Sequence, residues 1–236
     1  MAPTTLDVAG AIAAARARIT AAAERAGRDP AAVRLVAVSK TVVPERVAEA
    51  VAAGVTDLGE NRVQEAVAKR PLLPEGVRWH MVGHLQTNKA ARAAATFAVV
   101  HSVDSVRLAE LLAARRPAAL GDLDVLLEVE LTGLPGHTGF APEALGEAVA
   151  EIGGLAGLRL CGLMTMAPPV ADPDQARPAF ARLRRLRDEV EERGGRPLAE
   201  LSMGMSDDFE VAVEEGATVV RLGRAIFGER PPRGSA

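Results

Sequence analysis

The sequence of 236 residues has no tyrosine and few other aromatic residues, with five Phe and one Trp. It therefore lacks the aromatic platform on which single-stranded nucleic acids stack their bases. The formal net charge of −3 at pH 7 also argues against broad electrostatic binding to a polyanion. Together these features argue against a nucleic-acid partner.

Cysteine and long apolar runs are scarce as well. The one cysteine, Cys161, cannot form an internal disulfide and suits a reducing compartment. No stretch reaches the roughly 18 apolar residues of a membrane span. No basic segment precedes the alanine-rich stretch VAGAIAAARAR, so a signal peptide is not expected. The sequence predicts a cytoplasmic protein that does not enter a membrane.

Lysine is the third scarce residue. The chain has 28 Lys plus Arg, but only Lys40, Lys69 and Lys89 are lysines. Lys40 ends the apolar run LVAVSK, where a buried strand would reach the surface. A desolvated lysine can lose its proton and become a nucleophile, which arginine cannot do. Lys40 is therefore a candidate nucleophile, with a chance position at a loop edge as the alternative.

A recurring unit organises the rest of the chain. Residues 5 to 26 are rich in alanine and predict a first helix that stops at Gly27. After it, short β-branched or apolar runs alternate with helical patterns that end near glycine or proline. The eight runs are 34–39, 55–59, 77–83, 97–102, 124–131, 158–164, 199–204 and 218–223.

Strands that are apolar on both faces and separated by helices predict a parallel sheet covered on both sides. Eight such units predict an α/β fold with one closed (β/α)8 barrel, an extra N-terminal helix and no C-terminal β domain. A doubly wound open sheet is the alternative, although no G-x-G-x-x-G follows the first run. We expect a single domain over residues 1–236, with 231–236 as a loose tail.

Polar residues and glycines concentrate after the predicted strands, which in a barrel places them at one end. GENRVQE follows the second strand, WHMVGHLQTNK ends the third, and SMGMSDD and RLGRAIFG follow the last two. The last two segments resemble an anion site, because loops after strands seven and eight of barrels commonly bind phosphate. Ordinary glycine turns with Ser206 as a helix cap remain the alternative. Asp207 and Asp208 would repel a phosphate unless they turn outward.

A Schiff-base lysine and a phosphate site in one barrel mouth suggest pyridoxal 5'-phosphate (PLP) as a cofactor. Arg221, at the end of the last strand, is then the candidate partner of the pyridine nitrogen. A permanent cation there would discourage protonation of that nitrogen and leave the cofactor a weaker electron sink.

The chain resembles the pyridoxal phosphate homeostasis proteins, the small single-domain members of the alanine racemase-like barrels of fold type III. The resemblance extends from about residue 37 to residue 230. It rests on the combination of AVSKT, GENRVQE, WHMVGHLQTNK, HSVDS, GLMTMAP and LSMGMSDDFEVAVEEGATVVRLGRAIFGER. It implies a PLP-binding protein that acts in intracellular PLP homeostasis without a robust catalytic activity. No metal is expected, because no H-E-x-x-H and no carboxylate cluster accompanies His80 and His84. Possible recipients would be the apo forms of PLP-dependent enzymes.

The resemblance also implies a role for each cofactor-binding residue. Lys40 would hold the cofactor as a Schiff base, and Arg221 would face the ring nitrogen. Three residues would surround the ring: Asn61, His80 and Met164. Three would hold the phosphate: Ser206, Gly223 and Arg224. Two departures from the family pattern are Arg224, where threonine or serine is frequent, and loop 131–140, which has His137 near the place of a lysine.

Two enzyme classes remain as alternatives. An amino-acid racemase of this fold would use the same lysine, but it takes its second base from a tyrosine, and this chain has none. Too little sequence follows the eighth run for the extra β domain of those enzymes, through which they pair, so a monomer is expected. His80 or His84 would have to replace the missing base. A lysine-dependent aldolase would need a proton-transfer partner such as Glu60.

Overall fold

The computed structural model describes residues 7–134, 136–194 and 196–229. Eight parallel strands form a closed barrel in chain order, with the last strand paired to the first. They are β1 Arg34–Val38, β2 Asp57–Glu60, β3 Arg78–Met81, β4 Val99–Val103, β5 Leu123–Glu128, β6 Leu158–Met164, β7 Glu200–Ser202 and β8 Val219–Leu222. This confirms the predicted barrel and excludes the open sheet.

Helices connect the strands, as parallel pairing requires. Within the described residues the α-helices are α1 Val8–Arg25, α2 Pro44–Ala52, α3 Val63–Lys69, α4 Ala90–Thr96, α5 Val106–Arg115, α6 Leu145–Gly153, α7 Arg177–Gly194, α8 Phe209–Glu214 and α9 Arg224–Phe227. The extra N-terminal helix begins later than predicted, because the Asp7 carboxylate caps it by accepting the Gly10 N–H at 3.0 Å. The expected tail, 231–236, lies outside the described residues.

The apolar core lies between the strands and the surrounding helices. Its largest fully buried side chains include Phe97, Phe180 and Phe209. The fifth strand is buried along its whole length, which explains why these runs lack a simple alternation of apolar and polar residues. None of the helices in the described part of the chain is long and apolar enough to cross a membrane.

The inside of the barrel, by contrast, is largely polar. A small pocket there is lined by residues of seven strands: Arg34, Arg78, His80, Val99, His101, Asp124, Leu126, Cys161, Glu200 and Val219. Val99, Leu126 and Met164 form a separate apolar cluster in the same interior. Barrels usually fill this layer with branched aliphatic side chains, so the polar interior calls for an explanation.

Candidate functional site

A cavity of about 740 Å³ opens at the carboxyl end of the barrel. The parallel pairing carries the ends of β1, β2 and β8 to this edge. Six of the eight predicted site residues line the cavity: Lys40, Asn61, Ser206, Arg221, Gly223 and Arg224. These six come from segments up to about 180 residues apart in the chain, and the closed barrel brings them together.

His80 and Met164 lie deeper, inside the barrel, and neither is among the described residues that line this cavity. The His80 ring is 1% exposed and lies between Asp57 and His101. Met164 packs against Val99 and Leu126. Both side chains lie in the layer of the barrel interior beneath the cavity. The sequence of a strand does not show whether an inward-facing residue lines the cavity or lies below it.

The turn that carries Lys40 is anchored by a buried ion pair. Lys69 Nζ lies 2.7 Å from Glu60 Oε1 and donates to the Ser39 carbonyl at 2.6 Å. The Ser39 hydroxyl donates to the same Glu60 oxygen at 2.7 Å. Burial raises the pKa of Glu60, while its bonds to Lys69 and Ser39 oppose that rise. The three groups fix the last backbone position before Lys40.

The residue after Lys40 is held as well. Thr41 has φ of 64°, a left-handed conformation that non-glycine residues seldom adopt. Its N–H donates to Glu65 Oε2 at 2.8 Å and its hydroxyl donates to the Lys40 carbonyl at 2.6 Å. Backbone strain of this kind persists only where surrounding contacts enforce it. Lys40 therefore sits in a turn that is fixed on both sides.

Arg221 lies at the floor of the cavity and is 5% exposed. One terminal nitrogen donates to the Ser202 hydroxyl at 2.7 Å and the other to the Thr165 carbonyl at 3.0 Å. Burial lowers the pKa of Arg221 to about 10, while Asp208 and Glu128 favour its charged form. At neutral pH the guanidinium is thus a buried cation beneath the cavity.

The loops after β7 and β8 form one wall of the cavity. The Ser206 hydroxyl accepts the N–H of Ala225 at 3.1 Å and so ties the two loops together. A Cβ atom on Gly223 would lie 3.3 Å from the Val38 carbonyl oxygen, so only glycine keeps this wall open without a shift. Asp207 forms an ion pair with Arg224, which offsets its charge, whereas the buried Asp208 also lines the cavity and accepts the N–H of Met205.

Sequence analysis missed several residues of the site. Arg18, on α1, lines the cavity, forms an ion pair with Glu210 and lies 4.6 Å from the centre of the Phe209 ring. No sequence signal separates Arg18 from the other arginines of an alanine-rich helix. The segment after β6 also lines the cavity with Met166, Ala167, Pro168, Pro169, Val170, Ala171 and Pro173. Its proline content was the available signal, because it marks a loop at a strand end.

Glu128, the last residue of β5, is a buried carboxyl group that sequence analysis missed. It is 4% exposed, and within the described residues its Oε2 atom has no hydrogen-bond partner. Burial raises the pKa of Glu128 to about 7; the nearby Asp104 carboxylate adds to the rise and Arg221 opposes it. A carboxyl with this pKa changes charge near neutral pH.

Two features flagged in the sequence lie outside this cavity. In the divergent loop, the Glu130 carboxylate accepts the N–H groups of Thr132 and Gly133, and His137 lies 3.1 Å from the Thr132 hydroxyl. His84 lies 3.2 Å from Asp104 and is separated from the buried His80. The described part of the chain holds no group of three His, Cys, Asp or Glu that could bind a metal.

Comparisons with known proteins cover nearly the whole chain. The family model of the alanine racemase N-terminal domain matches residues 11–231. A pyridoxal phosphate homeostasis protein of Pseudomonas aeruginosa is 47% identical over 227 residues, 94% of this chain and 96% of that one. Its counterpart in Aquifex aeolicus is 42% identical, over 90% of this chain and 94% of that one. PipY of Synechococcus elongatus PCC7942, solved with PLP bound, has a TM-score of 0.82 and 36% identity, covering 94% of this chain and all of that one.

Proposed function

The chain belongs to the family of pyridoxal phosphate homeostasis proteins, and from this membership we propose that it binds PLP at the carboxyl end of its barrel, as a Schiff base on Lys40. The observation that carries the proposal is that one cavity is lined by Lys40, by Arg221 and by the wall that contains Ser206 and Gly223. PipY, solved with PLP bound, supports the choice of cofactor.

The donor set of this cavity fits PLP. The cofactor needs a primary amine for its aldehyde, donors for its phosphate and a partner for its ring nitrogen. Lys40 supplies the amine. Ser206 and Arg224 supply a hydroxyl and a guanidinium, and Gly223 leaves backbone accessible beside them. Arg224 then replaces the threonine or serine hydroxyl that is frequent in the family. Its ion pair with Asp207 reduces the positive charge that it offers to the phosphate.

The remaining predicted residues act around the ring. Asn61 lies on the cavity wall, while His80 and Met164 support the cavity from the layer below. Arg221 presents a cation to the ring nitrogen and so keeps that nitrogen unprotonated. The bound cofactor supplies an electrophilic carbon to amines, and an unprotonated ring withdraws electrons weakly.

We propose that the protein holds and releases PLP without a robust reaction of its own, as a cytoplasmic monomer and single domain. A base on each face of a substrate carbon would be needed for racemisation, and the chain offers no tyrosine for that role. Glu60, the candidate for an aldolase, is bound to Lys69 and Ser39 and does not line the cavity among the described residues. The recipients are apo forms of PLP-dependent enzymes.

Equilibrium titration tests the phosphate end of the site. We expect the protein to bind PLP more tightly than pyridoxal, which lacks the phosphate. Ser206→Ala should weaken PLP binding by about tenfold, the cost of one charge-assisted hydrogen bond, and change pyridoxal binding by less than twofold. Ser102→Ala, which removes a buried hydroxyl bonded to the Gly83 carbonyl, is the matched control. Equal binding of PLP and pyridoxal would contradict the proposal.

Transfer tests the carrier role. Protein loaded with PLP is separated from free cofactor and mixed with an apo PLP-dependent enzyme, and the recovery of that enzyme's activity is followed with time. We expect recovery to approach one active site per loaded chain. Failure to activate the enzyme, with PLP still bound to the chain, would leave binding intact and reject carriage.

A further inference from the structure

Five buried polar side chains form an unbroken row across the inside of the barrel. Asp57 Oδ1 lies 2.8 Å from His80 Nε2, and His80 Nδ1 lies 2.8 Å from His101 Nε2. His101 Nδ1 lies 2.8 Å from the Ser202 hydroxyl, which accepts from Arg221 at 2.7 Å. The row joins β2, β3, β4, β7 and β8 and ends at the floor of the cofactor cavity.

The carboxylate at one end sets the direction of every bond in the row when both rings are neutral. A carboxylate can only accept and a guanidinium can only donate. Asp57 accepts from His80, so His80 carries its proton on Nε2 and its Nδ1 accepts from Nε2 of His101. Nδ1 of His101 then accepts the hydroxyl hydrogen of Ser202, whose oxygen accepts from Arg221. Each neutral ring therefore has one tautomer.

The surroundings keep both imidazoles neutral. Burial lowers the pKa of His101 well below its usual value, and it also lowers the pKa of His80 against the opposing effect of Asp57. The charged groups around the two rings are Arg34, Asp57, Arg78, Asp124, Glu200 and Arg221. Two of these arginines are matched by carboxylates, since Arg34 pairs with Glu200 and Arg78 with Asp124.

We propose that Asp57, His80, His101 and Ser202 are positioning residues that hold the guanidinium of Arg221 in one orientation beneath the cofactor. The proposal rests on the proposed function, because Arg221 matters only if the ring lies above it. Of the five N–H donors of a guanidinium, one on each terminal nitrogen is tied down by Ser202 and Thr165. The same side chain lines the cavity, so its orientation there is set from below.

A direct test of the row needs no cofactor. The chain has four histidines, so ¹⁵N-resolved NMR of the imidazoles gives a readily assigned spectrum. At pH 7 we expect His80 and His101 to be neutral with the proton on Nε2. In Ser202→Ala the Nδ1 shift of His101 should change, whereas in Ser102→Ala both rings should be unchanged. A charged ring, or a proton on Nδ1 of either histidine, would overturn the row.

A second test measures its effect on the cavity. Ser202→Ala should weaken PLP binding by about tenfold, because Arg221 loses one fixed hydrogen bond. It should also shift the pH at which the absorbance of bound PLP changes. Ser102→Ala changes a buried serine on β4 and should leave the PLP affinity and this pH unchanged, although both serine variants lose stability. Asp57→Asn, at the far end of the row, should also weaken PLP binding, by about threefold.

Three outcomes separate the explanations. Equal melting temperatures for the two serine variants, with weaker PLP binding only in Ser202→Ala, support positioning. Equal PLP binding in both variants reduces the row to a structural role and overturns the proposal. If the wild-type protein itself binds no PLP, the proposed function fails and positioning with it, while the imidazole spectrum still reports whether the row exists.

Discussion

Glu128 and Arg221 are two buried ionisable groups near the carboxyl end of the barrel, and their hydrogen bonding differs. Arg221 is paired with hydroxyl and carbonyl oxygens, whereas Glu128 is left with one oxygen atom unpartnered among the described residues. An unpaired buried carboxylate is costly, so the proton stays on Glu128 to a higher pH than usual. This group makes stability depend on pH.

The pKa of about 7 for Glu128, against 4.5 for the free side chain, predicts a loss of stability as pH rises. Between these two values the unfolded chain releases the proton while the folded chain keeps it. The contribution of Glu128 is therefore present below pH 4.5 and lost as pH rises through about 7, a change of about 3 kcal/mol. Urea unfolding of wild type and Glu128→Gln at pH 5 and 7 should show about 2 kcal/mol of this change.

The glutamine variant should lose less unfolding free energy than wild type between the two pH values. Glu110→Gln, at an exposed position on α5, serves as the control and should follow wild type. Parallel pH dependence of wild type and Glu128→Gln would show that the buried carboxyl does not hold its proton.

At the scale of elements, the turn between β1 and α2 is organised by a helix that follows the next strand. Lys69, near the end of α3, reaches back to Ser39 and to Glu60. The side chains of this ion pair are 8% and 0% exposed, so neither charge is well solvated. Removing one partner of such a pair leaves an uncompensated charge in the interior.

Lys69→Met should lower the free energy of unfolding by about 3–5 kcal/mol at pH 7, because Glu60 then lacks its cation. The double variant Lys69→Met, Glu60→Gln should recover a large part of that loss. Chemical unfolding of the two variants and of Lys89→Met, a half-buried lysine elsewhere, measures the difference. If Lys69→Met costs no more than Lys89→Met, the pair does not hold the turn.

At the scale of the whole molecule, the barrel places Lys40 on its cavity, and the chain has no tyrosine. Protein loaded with PLP should therefore not interconvert L- and D-alanine faster than the Lys40→Ala variant does. Chiral chromatography after long incubation with either enantiomer measures the rate. Interconversion that depends on Lys40 would reject the carrier role in favour of racemase chemistry.

The eight strands could be predicted because each is a short apolar run bounded by turn residues. Their ends shift by up to three residues, as with the fifth run, which is predicted to extend to residue 131 although β5 ends at Glu128. Directly after Glu128, Val129 forms an isolated bridge with Phe140, so the hydrophobicity of the run there reflects burial in a loop. The single domain over residues 1–236 stays a prediction.

The site was only partly predictable for a similar reason. Residues at strand ends, such as Lys40 and Gly223, follow from the barrel topology and its loops. The partner of Ser39 is a lysine 30 residues later, and His101 meets Ser202 across 101 residues. No local pattern specifies which buried side chains of a two-sided strand face the inside of the barrel, so the polar interior emerged only with the fold.

The absorbance of the protein with added PLP tests the central claim most directly. Wild type and Lys89→Ala should develop a visible band, Lys40→Ala should not, and borohydride reduction followed by peptide mapping should place the adduct on Lys40. A primary amine is required, so Lys40→Arg should also lack the band although it keeps the charge. A band that persists in Lys40→Ala, or no band in wild type, would contradict the account.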